Sequence, residues 1–471
     1  MTRWLCLVLG AAAGCGGDES PTLRPLTAGD FIDLDADANV VEVSLVAVQS
    51  EVEILPGKPT GVWAYRDGAD PDAPGSLPGP MLDVRQGQEV VVKFENRLEI
   101  ETTIHWHGIR LDPSMDGSNL SQAPVAPGET FTYRFVALDP GFYWYHPHLR
   151  ADEQIEAGLQ APLIVRGGTE PDVTAERYFV LDDIKLESNG ELSRVITPLD
   201  LMVGRQGNVR LVNGKRAPIA LETTAGGRER WRFVNTANGH FFNLVVPGAQ
   251  FLVIGWDGGL LTEPYAIDTL VIAPGERYDV LVEPRVETGG AIVLQDVHYD
   301  RGHNLPDDGA KDLVTFTAVA SLDEPLEPLP VTWGHFEPID VSSAATRTFA
   351  LTERGNDGDP SREPEFFIND EKWPAITPTV VELGTTEIWQ IENESEMDHP
   401  IHLHGMFFQV LDVAGVGFPP LGFKDTVIVP QMSSARLAVT YDAAGDWMYH
   451  CHILEHAERG MMGHLHVVEQ E

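Results

Sequence analysis

Cysteine and basic residues are both scarce in this chain of 471 residues, and each shortage excludes a class of protein. Only three cysteines occur, Cys6, Cys15 and Cys451. A disulfide framework is therefore not expected, and a large apolar core must stabilise the fold. The 32 lysines and arginines face 72 acidic residues, a formal net charge of −40. This charge excludes nucleic acid as a partner, because phosphates would be repelled; it would instead concentrate cations, or simply keep the protein soluble.

The N-terminal segment, residues 1–22, is typical of a leader. Its first 17 residues, MTRWLCLVLGAAAGCGG, have one basic residue, roughly ten apolar residues and then small residues, and this apolar run is too short for a membrane span. Residues 12–15, Ala-Ala-Gly-Cys, resemble a lipoprotein cleavage site without its usual leucine. The segment predicts export, either as a cell-envelope or periplasmic lipoprotein anchored at Cys15 or as a secreted protein in which Cys15 has no role.

Long amphipathic helices are absent from the pattern, and short strand-like runs take their place. Segments such as VEVSLVAV, EVVVKFEN and RLAVTY alternate apolar and polar residues and are separated by Gly, Pro or Asn. Short strands at regular spacing predict an all-β fold built from sandwiches. The chain length suits several domains rather than one.

An internal repeat sets the number of sandwiches at three. Asn96 precedes His105 by nine residues, as Asn393 precedes His402, and a glycine stands five residues before both His146 and His450. The middle third carries the same Ala-Pro-Gly-Glu at 273–276 that occurs at 126–129, but its histidine positions are empty. With acidic, turn-rich linkers near 166–174 and 321–330, we expect a leader at 1–22 and three tandem β-sandwich domains at 23–168, 169–328 and 329–471.

A cysteine between two histidines, at 450–452, predicts two neighbouring metal sites. On a strand, His450 and His452 point to one face and Cys451 to the other. His456 follows Cys451 by five residues and Met461 by ten. With one further histidine, this set is typical of an electron-transfer copper site with two His, one Cys and a weak axial Met.

Histidines recur in His-x-His pairs far more often than chance allows. Five pairs occur, whereas random placement of 16 histidines predicts about 0.5. Each pair on a strand presents both imidazoles on one face, so the pairs of the first and last domains can surround one space. Eight imidazoles are too many for one ion but suit three copper ions that keep open positions for dioxygen. The pairs are His105/His107, His146/His148, His402/His404, His450/His452 and His464/His466.

The first four pairs, in this order along the chain, resemble the copper-ligand signatures of multicopper oxidases of the laccase-like type. The resemblance spans nearly the whole chain after the leader. It implies an all-β chain of three tandem cupredoxin-like Greek-key β-sandwich domains and four copper ions. It assigns His105 and His402 to a type 2 copper. It assigns the type 3 pair to His107, His146, His148, His404, His450 and His452. His399, an odd number of residues from His402, completes the type 1 site with Cys451, His456 and Met461, although Pro400 interrupts a regular strand. The pair His464/His466 lies outside the family pattern and is interpreted as ordinary.

Reduction of dioxygen to water consumes protons as well as electrons, so an acidic side chain is expected beside the copper-binding histidines. Asp116, nine residues after His107, matches a carboxylate that the family uses near its trinuclear centre; the alternative is a turn residue before Gly117. Many bacterial members carry Glu directly after the histidine equivalent to His456, whereas this chain has Ala457. The proton route is then expected to differ, with Glu455 or Glu458 as substitutes.

The resemblance implies an oxidase that takes single electrons from a donor at the type 1 site and reduces O2 to water at the trinuclear site. A weak Met ligand favours easily oxidised donors, which are phenols, aromatic amines or low-valent metal ions. A metal oxidase acting on Cu(I), Fe(II) or Mn(II) is therefore one alternative. The other is a copper-binding cupredoxin scaffold without turnover. Acidic residues beside His399, such as Asp398, could orient the donor or form a solvated turn.

Overall fold

The computed structural model describes residues 31–355 and 362–469. The predicted leader, residues 1–22, and Cys15 within it lie outside the described residues. Within the described ranges, no helix combines the length and apolarity needed to cross a membrane. The architecture is all-β, as predicted, with about 49% strand and 4% helix.

The first sandwich packs two four-stranded sheets, with strand orders β2-β1-β4-β6 and β3-β8-β7-β5. Its interior forms because alternate residues of each strand, such as Val43, Leu45 and Ala47, point inward and are almost fully buried. The strands are β1 Val40–Leu55, β2 Lys58–Asp67, β3 Leu82–Arg85, β4 Glu89–Asn96, β5 His105–His107, β6 Thr130–Val136, β7 Gly141–His146 and β8 Ala161–Arg166. A 3₁₀ turn, Pro113–Met115, and a short helix, α1 Ala151–Gln154, follow β5 and β7.

The second sandwich has a seven-stranded sheet, β11-β10-β9-β13-β18-β15-β16, and a five-stranded sheet, β12-β20-β19-β14-β17. Its core includes stacked aromatic rings, among them Trp231 on Phe316 with centroids 4.6 Å apart. The strands are β9 Ala175–Ile184, β10 Val209–Val212, β11 Lys215–Arg216, β12 Ile219–Ala225, β13 Glu229–Asn235, β14 Phe242–Val245, β15 Phe251–Trp256, β16 Gly259–Ile267, β17 Thr269–Ile272, β18 Arg277–Val282, β19 Ala291–Asp296 and β20 Lys311–Ser321. Helix α2, Pro198–Val203, begins at a capping box between Thr197 and Asp200.

The third sandwich has a six-stranded sheet, β22-β21-β24-β29-β26-β27, and a five-stranded sheet, β23-β31-β30-β25-β28. Cys451 is fully buried in the core between these two sheets. The strands are β21 Ala345–Arg354, β22 Glu365–Ile368, β23 Thr379–Glu382, β24 Thr386–Asn393, β25 His399–Leu403, β26 Phe408–Val413, β27 Val416–Gly417, β28 Thr426–Val429, β29 Ser433–Thr440, β30 Gly445–Cys451 and β31 Met462–Val468. Helix α3, Leu454–Glu458, follows β30.

One buried asparagine ends the equivalent strand of each sandwich and makes the same hydrogen bonds. The side-chain amides of Asn96, Asn235 and Asn393 each donate to two backbone carbonyls at 2.7–2.9 Å. Each side-chain oxygen accepts from the backbone N–H two residues later, at 3.0 Å. The sequence repeat thus corresponds to a repeated strand ending, which fixes the loop that leads to the next strand.

Candidate metal centre

Strand β30 serves two sites because its side chains alternate between faces. Cys451 points into the third sandwich, whereas His450 lies on the opposite face, directly across from His402 in the sheet register. Strand β5 of the first sandwich pairs His105 with His146 in the same way. The outer faces of these two sheets meet, so the histidines of both sandwiches share one space between them.

All eight predicted histidines of the trinuclear set converge in this space. Each is at most 7% exposed. The rings of His105 and His404 stack at a centroid distance of 3.8 Å, and those of His107 and His402 stack at the same distance. Nε2 of His450 lies 3.1 Å from Nε2 of His404 and 3.2 Å from Nε2 of His148, which comes from the other sandwich. Three ring nitrogens at this spacing could share one metal ion.

The outer nitrogens of these rings are held by hydrogen bonds, which aims the inner nitrogens into the space. Nδ1–H of His146 donates to the carbonyl of Pro147, and Nδ1–H of His450 to the carbonyl of Cys451, both at 2.9 Å. His402 and His105 donate to backbone carbonyls of Asp425 and Asp116 in the same manner. Such bonds fix the tautomer and orientation of a metal-binding imidazole.

The residues fit a set of bound metal ions. Six buried ring nitrogens of this histidine set have no hydrogen-bond partner among the described residues, and each unsatisfied group would cost about 1–3 kcal/mol. They belong to five of the eight histidines, which is difficult to explain unless a ligand completes them. The atoms are Nε2 of His105, His146 and His402, Nδ1 of His107, and both ring nitrogens of His452.

Burial keeps these imidazoles in the neutral form that binds metal. Burial, followed by the neighbouring histidines, holds the pKa of His146 and of His450 well below the usual value. The pKa of His148 falls to about 3, again chiefly through burial. Metal ions therefore meet little competition from protons at neutral pH.

The second cluster lies around Cys451. Its Sγ is 3.5 Å from Nδ1 of His399 and 3.8 Å from Nδ1 of His456, and these two nitrogens are 3.2 Å apart. Despite Pro400, strand β25 keeps its register, so His399 faces the core while His402 faces the other sandwich. Met461 is fully buried in the same core, and its carbonyl accepts a hydrogen bond from the Cys451 N–H at 3.0 Å.

The two imidazoles of this cluster are also oriented through their far nitrogens. Nε2 of His399 lies 2.8 Å from the hydroxyl of Ser395, and Nε2–H of His456 donates to the carbonyl of Met202 at 3.0 Å. Helix α2 of the second sandwich thereby covers the His456 edge. Burial raises the pKa of the Cys451 thiol, so a bound cation is needed to stabilise its thiolate.

Asp116 connects the two sandwiches at the histidine cluster. One carboxylate oxygen lies 2.9 Å from Nδ1 of His404, and the other lies 3.2 Å from Nδ1 of His105. Burial alone would raise the pKa of Asp116, but His404 and His105 outweigh it and hold the pKa well below the usual range. The side chain is therefore ionised; it accepts a hydrogen bond from His404 and lies in close electrostatic contact with His105, whose Nδ1–H donates to the Asp116 carbonyl.

Asp425 and Arg277 link the second sandwich to the histidine cluster, and the sequence motifs did not predict either of them. Both side chains are 1% exposed, and the guanidinium of Arg277 donates to the two Asp425 oxygens at 2.6 Å each. Asp425 also lies 3.4 Å from Nε2 of His107 and 3.6 Å from Nδ1 of His402. The only sequence signal was a pair of adjacent charged residues, Lys424 and Asp425, directly before the apolar run that becomes β28, and the structure buries both of them.

The two glutamates considered for proton supply both belong to α3, where Glu455 is buried and Glu458 is partly buried. Asn238 donates to Glu455 at 2.8 Å, and the backbone N–H of Ala151 donates to Glu458 at 2.6 Å. Burial, followed by Asp152, raises the pKa of each glutamate to about 7. Ala457 itself packs in a small apolar cluster with Met448 and Met462. The carboxyl of Glu458 therefore contacts the first sandwich and that of Glu455 contacts the second. Both carboxyls can hold a proton near neutral pH.

Three tandem cupredoxin-like sandwiches with these two histidine clusters define a copper-dependent oxidoreductase, and comparison with known proteins agrees. Three models of multicopper oxidase domains match residues 72–170, 185–291 and 343–471. The multicopper oxidase MmcO of Mycobacterium tuberculosis is 32% identical over 425 residues, which cover 83% of this chain and 81% of that protein. A laccase of Bacillus subtilis is 27% identical over 482 residues, covering 87% and 91% of the two chains.

The solved structures give the same result. A multicopper oxidase of Campylobacter jejuni, described as a metallo-oxidase, superposes with a TM-score of 0.82 at 27% identity and covers 94% of each chain. The chain belongs to the multicopper oxidase family. It is a laccase-like enzyme that uses O2 and a reducing substrate, and its cofactors are type 1, type 2 and type 3 copper.

Proposed function

We propose that the histidines and Cys451 divide among the copper ions as the sequence motifs predict. Each sandwich then corresponds to one predicted domain, at 23–168, 169–328 and 329–471. The type 1 site takes His399, Cys451, His456 and Met461, and the type 2 site takes His105 and His402. The type 3 pair takes His107, His146, His148, His404, His450 and His452. The observation that carries this division is the set of buried ring nitrogens without partners, which lies on the opposite face of β30 from Cys451.

Bound copper would supply one-electron transfer at the cysteine site and open coordination positions for O2 at the histidine site. The chain contributes the connection between them. Cys451 is covalently joined to His450 and His452, so the shortest path between the two sites follows one peptide segment. Asp116 orients the ligands, because its carboxylate contacts His105 of the first sandwich and His404 of the third. The route that carries protons to this site stays a prediction, with Asp116 and the two glutamates of α3, Glu455 and Glu458, as its candidates.

We infer that the donor reaches the type 1 site through a cavity of about 160 Å³ that is lined by residues of the second sandwich and borders the core around Cys451 at Phe241. Its wall includes Arg301, whose guanidinium lies over the ring of Phe241, a member of the core around Cys451. It also includes Tyr299, whose hydroxyl donates to Asp398 at 2.7 Å, directly before His399. A larger cavity of about 480 Å³ lies near Arg110 and shares no residue with this wall, so size alone does not identify the donor site.

Phenols and aromatic amines are the proposed donors. The cavity at Tyr299 has room for a single aromatic ring, and it offers a stacked Phe241–Tyr299 pair with centroids 5.8 Å apart. Since His456 and His399 are fully buried, electrons must cross one layer of side chains rather than pass by direct contact with a ligand ring. The leader pattern supports export, with copper loaded outside the cytoplasm and Cys15 as a lipid anchor.

Dioxygen consumption by the copper-loaded protein tests this function. We expect uptake with a phenolic donor, slower uptake with Cu(I) or Fe(II), and no uptake with either class in Cys451→Ser. A strong preference for a metal ion would replace the phenol assignment with metal oxidation. Full copper loading without uptake for any donor would indicate a copper-binding scaffold instead.

A further inference from the structure

The fifth His-x-His pair, His464 and His466, lies on β31 and is not used by either copper cluster. Its two imidazoles converge on one carboxylate of the neighbouring strand β30. Nε2 of His464 is 2.6 Å from Oδ1 of Asp446, and Nδ1 of His466 is 2.7 Å from the same oxygen. Asp446 and His466 are direct partners in the antiparallel register. The trio reaches solvent, because the side chains of Asp446 and His466 are 41% and 42% exposed and that of His464 is 18% exposed.

The geometry is close to that of a three-ligand metal site. Zinc or copper binds imidazole nitrogen at about 2.0–2.1 Å and carboxylate oxygen at about 2.0–2.2 Å, so tetrahedral ligands lie roughly 3.3 Å apart. The two ring nitrogens here are 2.6–2.7 Å from the shared oxygen, and each needs to move away from it by roughly 0.6–0.7 Å to admit an ion. Rotation of the side chains of Asp446 and His466, which are 41% and 42% exposed, can supply that movement.

The charges around the trio favour a cation. In the part of the chain that the structure describes, the two histidines are the ion-pair partners of Asp446, and no lysine or arginine competes for its carboxylate. The whole chain carries a formal charge of −40, which raises the local concentration of cations. Two imidazoles and one carboxylate suit borderline divalent ions such as Cu²⁺ and Zn²⁺ better than Mg²⁺ or Ca²⁺.

The trio also shares a sheet face with the interdomain histidines. Asp446, Met448 and His450 alternate along one face of β30, and their register partners on β31 are His466, His464 and Met462. Met448 and Met462 are buried and separate the trio from His450. Four residues of strand span about 13 Å, so the trio is a distinct site and cannot share an ion with the interdomain centre.

We propose that His464, His466 and Asp446 form a surface site for one divalent transition-metal ion of the Cu²⁺ or Zn²⁺ class, in addition to the buried copper centres. The two histidines and the carboxylate supply three ligands, and solvent completes the coordination. This site is independent of the proposed division of the buried ligands. Its failure would leave that division unchanged.

Zinc binding to the fully copper-loaded protein tests the site. Zn²⁺ is titrated by equilibrium dialysis, and bound zinc and copper are both counted by mass spectrometry of the metals. We expect one more tightly bound Zn²⁺ per chain in the wild type than in a His464→Gln/His466→Gln double variant. Asp446→Asn should weaken this zinc by at least about tenfold, since it removes a charged ligand. His335→Gln is the matched control, because its 86% exposed imidazole has one carboxylate nearby, Glu337 at 3.9 Å.

A second measurement on the wild type avoids dependence on the variants. Diethyl pyrocarbonate modifies accessible imidazoles, and peptide mass spectrometry locates the modified residues. We expect Zn²⁺ to protect His466 while His335 stays reactive. Equal zinc stoichiometry and affinity in the wild type and the double variant, or equal modification of His466 with and without Zn²⁺, would overturn the proposal and leave a hydrogen-bonded trio.

Discussion

Replacement of Asp425 by asparagine tests whether the second sandwich, which contributes no histidine ligand, still supports the interdomain centre. In the wild type, Asp425 neutralises the buried guanidinium of Arg277 through two hydrogen bonds of 2.6 Å. Burial alone would raise the pKa of Asp425, but Arg277 outweighs it and holds the pKa well below the usual range. The carboxylate is therefore charged at any pH at which the enzyme is assayed, and the neutral amide of the variant would leave Arg277 without this counterion.

The expected loss of stability follows from burial. Removal of one partner from a buried ion pair costs about 3–5 kcal/mol, because the remaining charge is left in an apolar environment. Asp257 lies 3.5 Å from the same guanidinium and partly compensates, so we expect a value near the lower end, about 3 kcal/mol. Copper binding should weaken as well, because Asp425 contacts both His107 and His402. Loss of such a supporting carboxylate lowers metal affinity by about 10–100-fold.

Three measurements on Asp425→Asn check this reasoning. They are the free energy of unfolding, the copper retained against a chelator, and the paramagnetic signal of the type 2 copper. The blue absorption of the type 1 site should persist, because its imidazoles are oriented by Ser395 and Met202 instead. Asp139→Asn is the control, since Asp139 also forms a two-hydrogen-bond pair with an arginine but is 25% exposed and contacts no copper ligand. Equal behaviour of the two variants would refute the argument.

Two further predictions concern a glycine and a glutamate outside the ligand set. Gly275→Ala should lower copper content and stability, because the φ of Gly275 is +87° and an added Cβ would lie 2.8 Å from the ring of His452. Gly248→Ala is the control for backbone strain alone, because the φ of Gly248 is +88° and its added Cβ would meet no atom within 4 Å. Glu176→Gln should destabilise the second sandwich at pH 7 by up to about 3 kcal/mol. Burial alone would raise the pKa of Glu176, but Arg232 outweighs burial and lowers this pKa to about 2, from an unfolded value near 4.5. This stability is present above pH 4.5 and is lost as pH falls toward 2, so unfolding curves of the two proteins should converge at low pH; a constant difference across that range would contradict the charge argument.

The fold class, the family and the chemistry could all be predicted from the sequence, because each depends on residue patterns within single strands. Alternation along single strands predicts which face a histidine occupies, so β30 could be assigned two faces from residues 450–452 alone. The residues that hold the ligands from behind could not be found in this way. Met202 orients His456 from 254 residues away, and Arg277 reaches Asp425 across 148 residues. Contacts over such separations depend on how the sandwiches dock, and no periodicity in the sequence records that.

The domain limits and the assignment of each ligand to a copper type stay predictions. The expected boundary at 168/169 falls between strands β8 and β9, and that at 328/329 falls between β20 and β21. Both therefore lie in connections where a cut would interrupt no strand. A ligand assignment needs spectroscopy of the copper-loaded protein, because one buried space contains all eight imidazoles.

The most direct test of the account is the ratio of donor oxidised to O2 consumed, measured with a one-electron phenolic donor. Reduction of O2 to water takes four electrons, so the wild type should oxidise about four donor molecules per O2 and release no hydrogen peroxide. In Cys451→Ser the histidine cluster should retain its copper while O2 consumption stops. A ratio of about two with accumulation of peroxide, or undiminished turnover without Cys451, would contradict the claim that the two clusters act as one electron path.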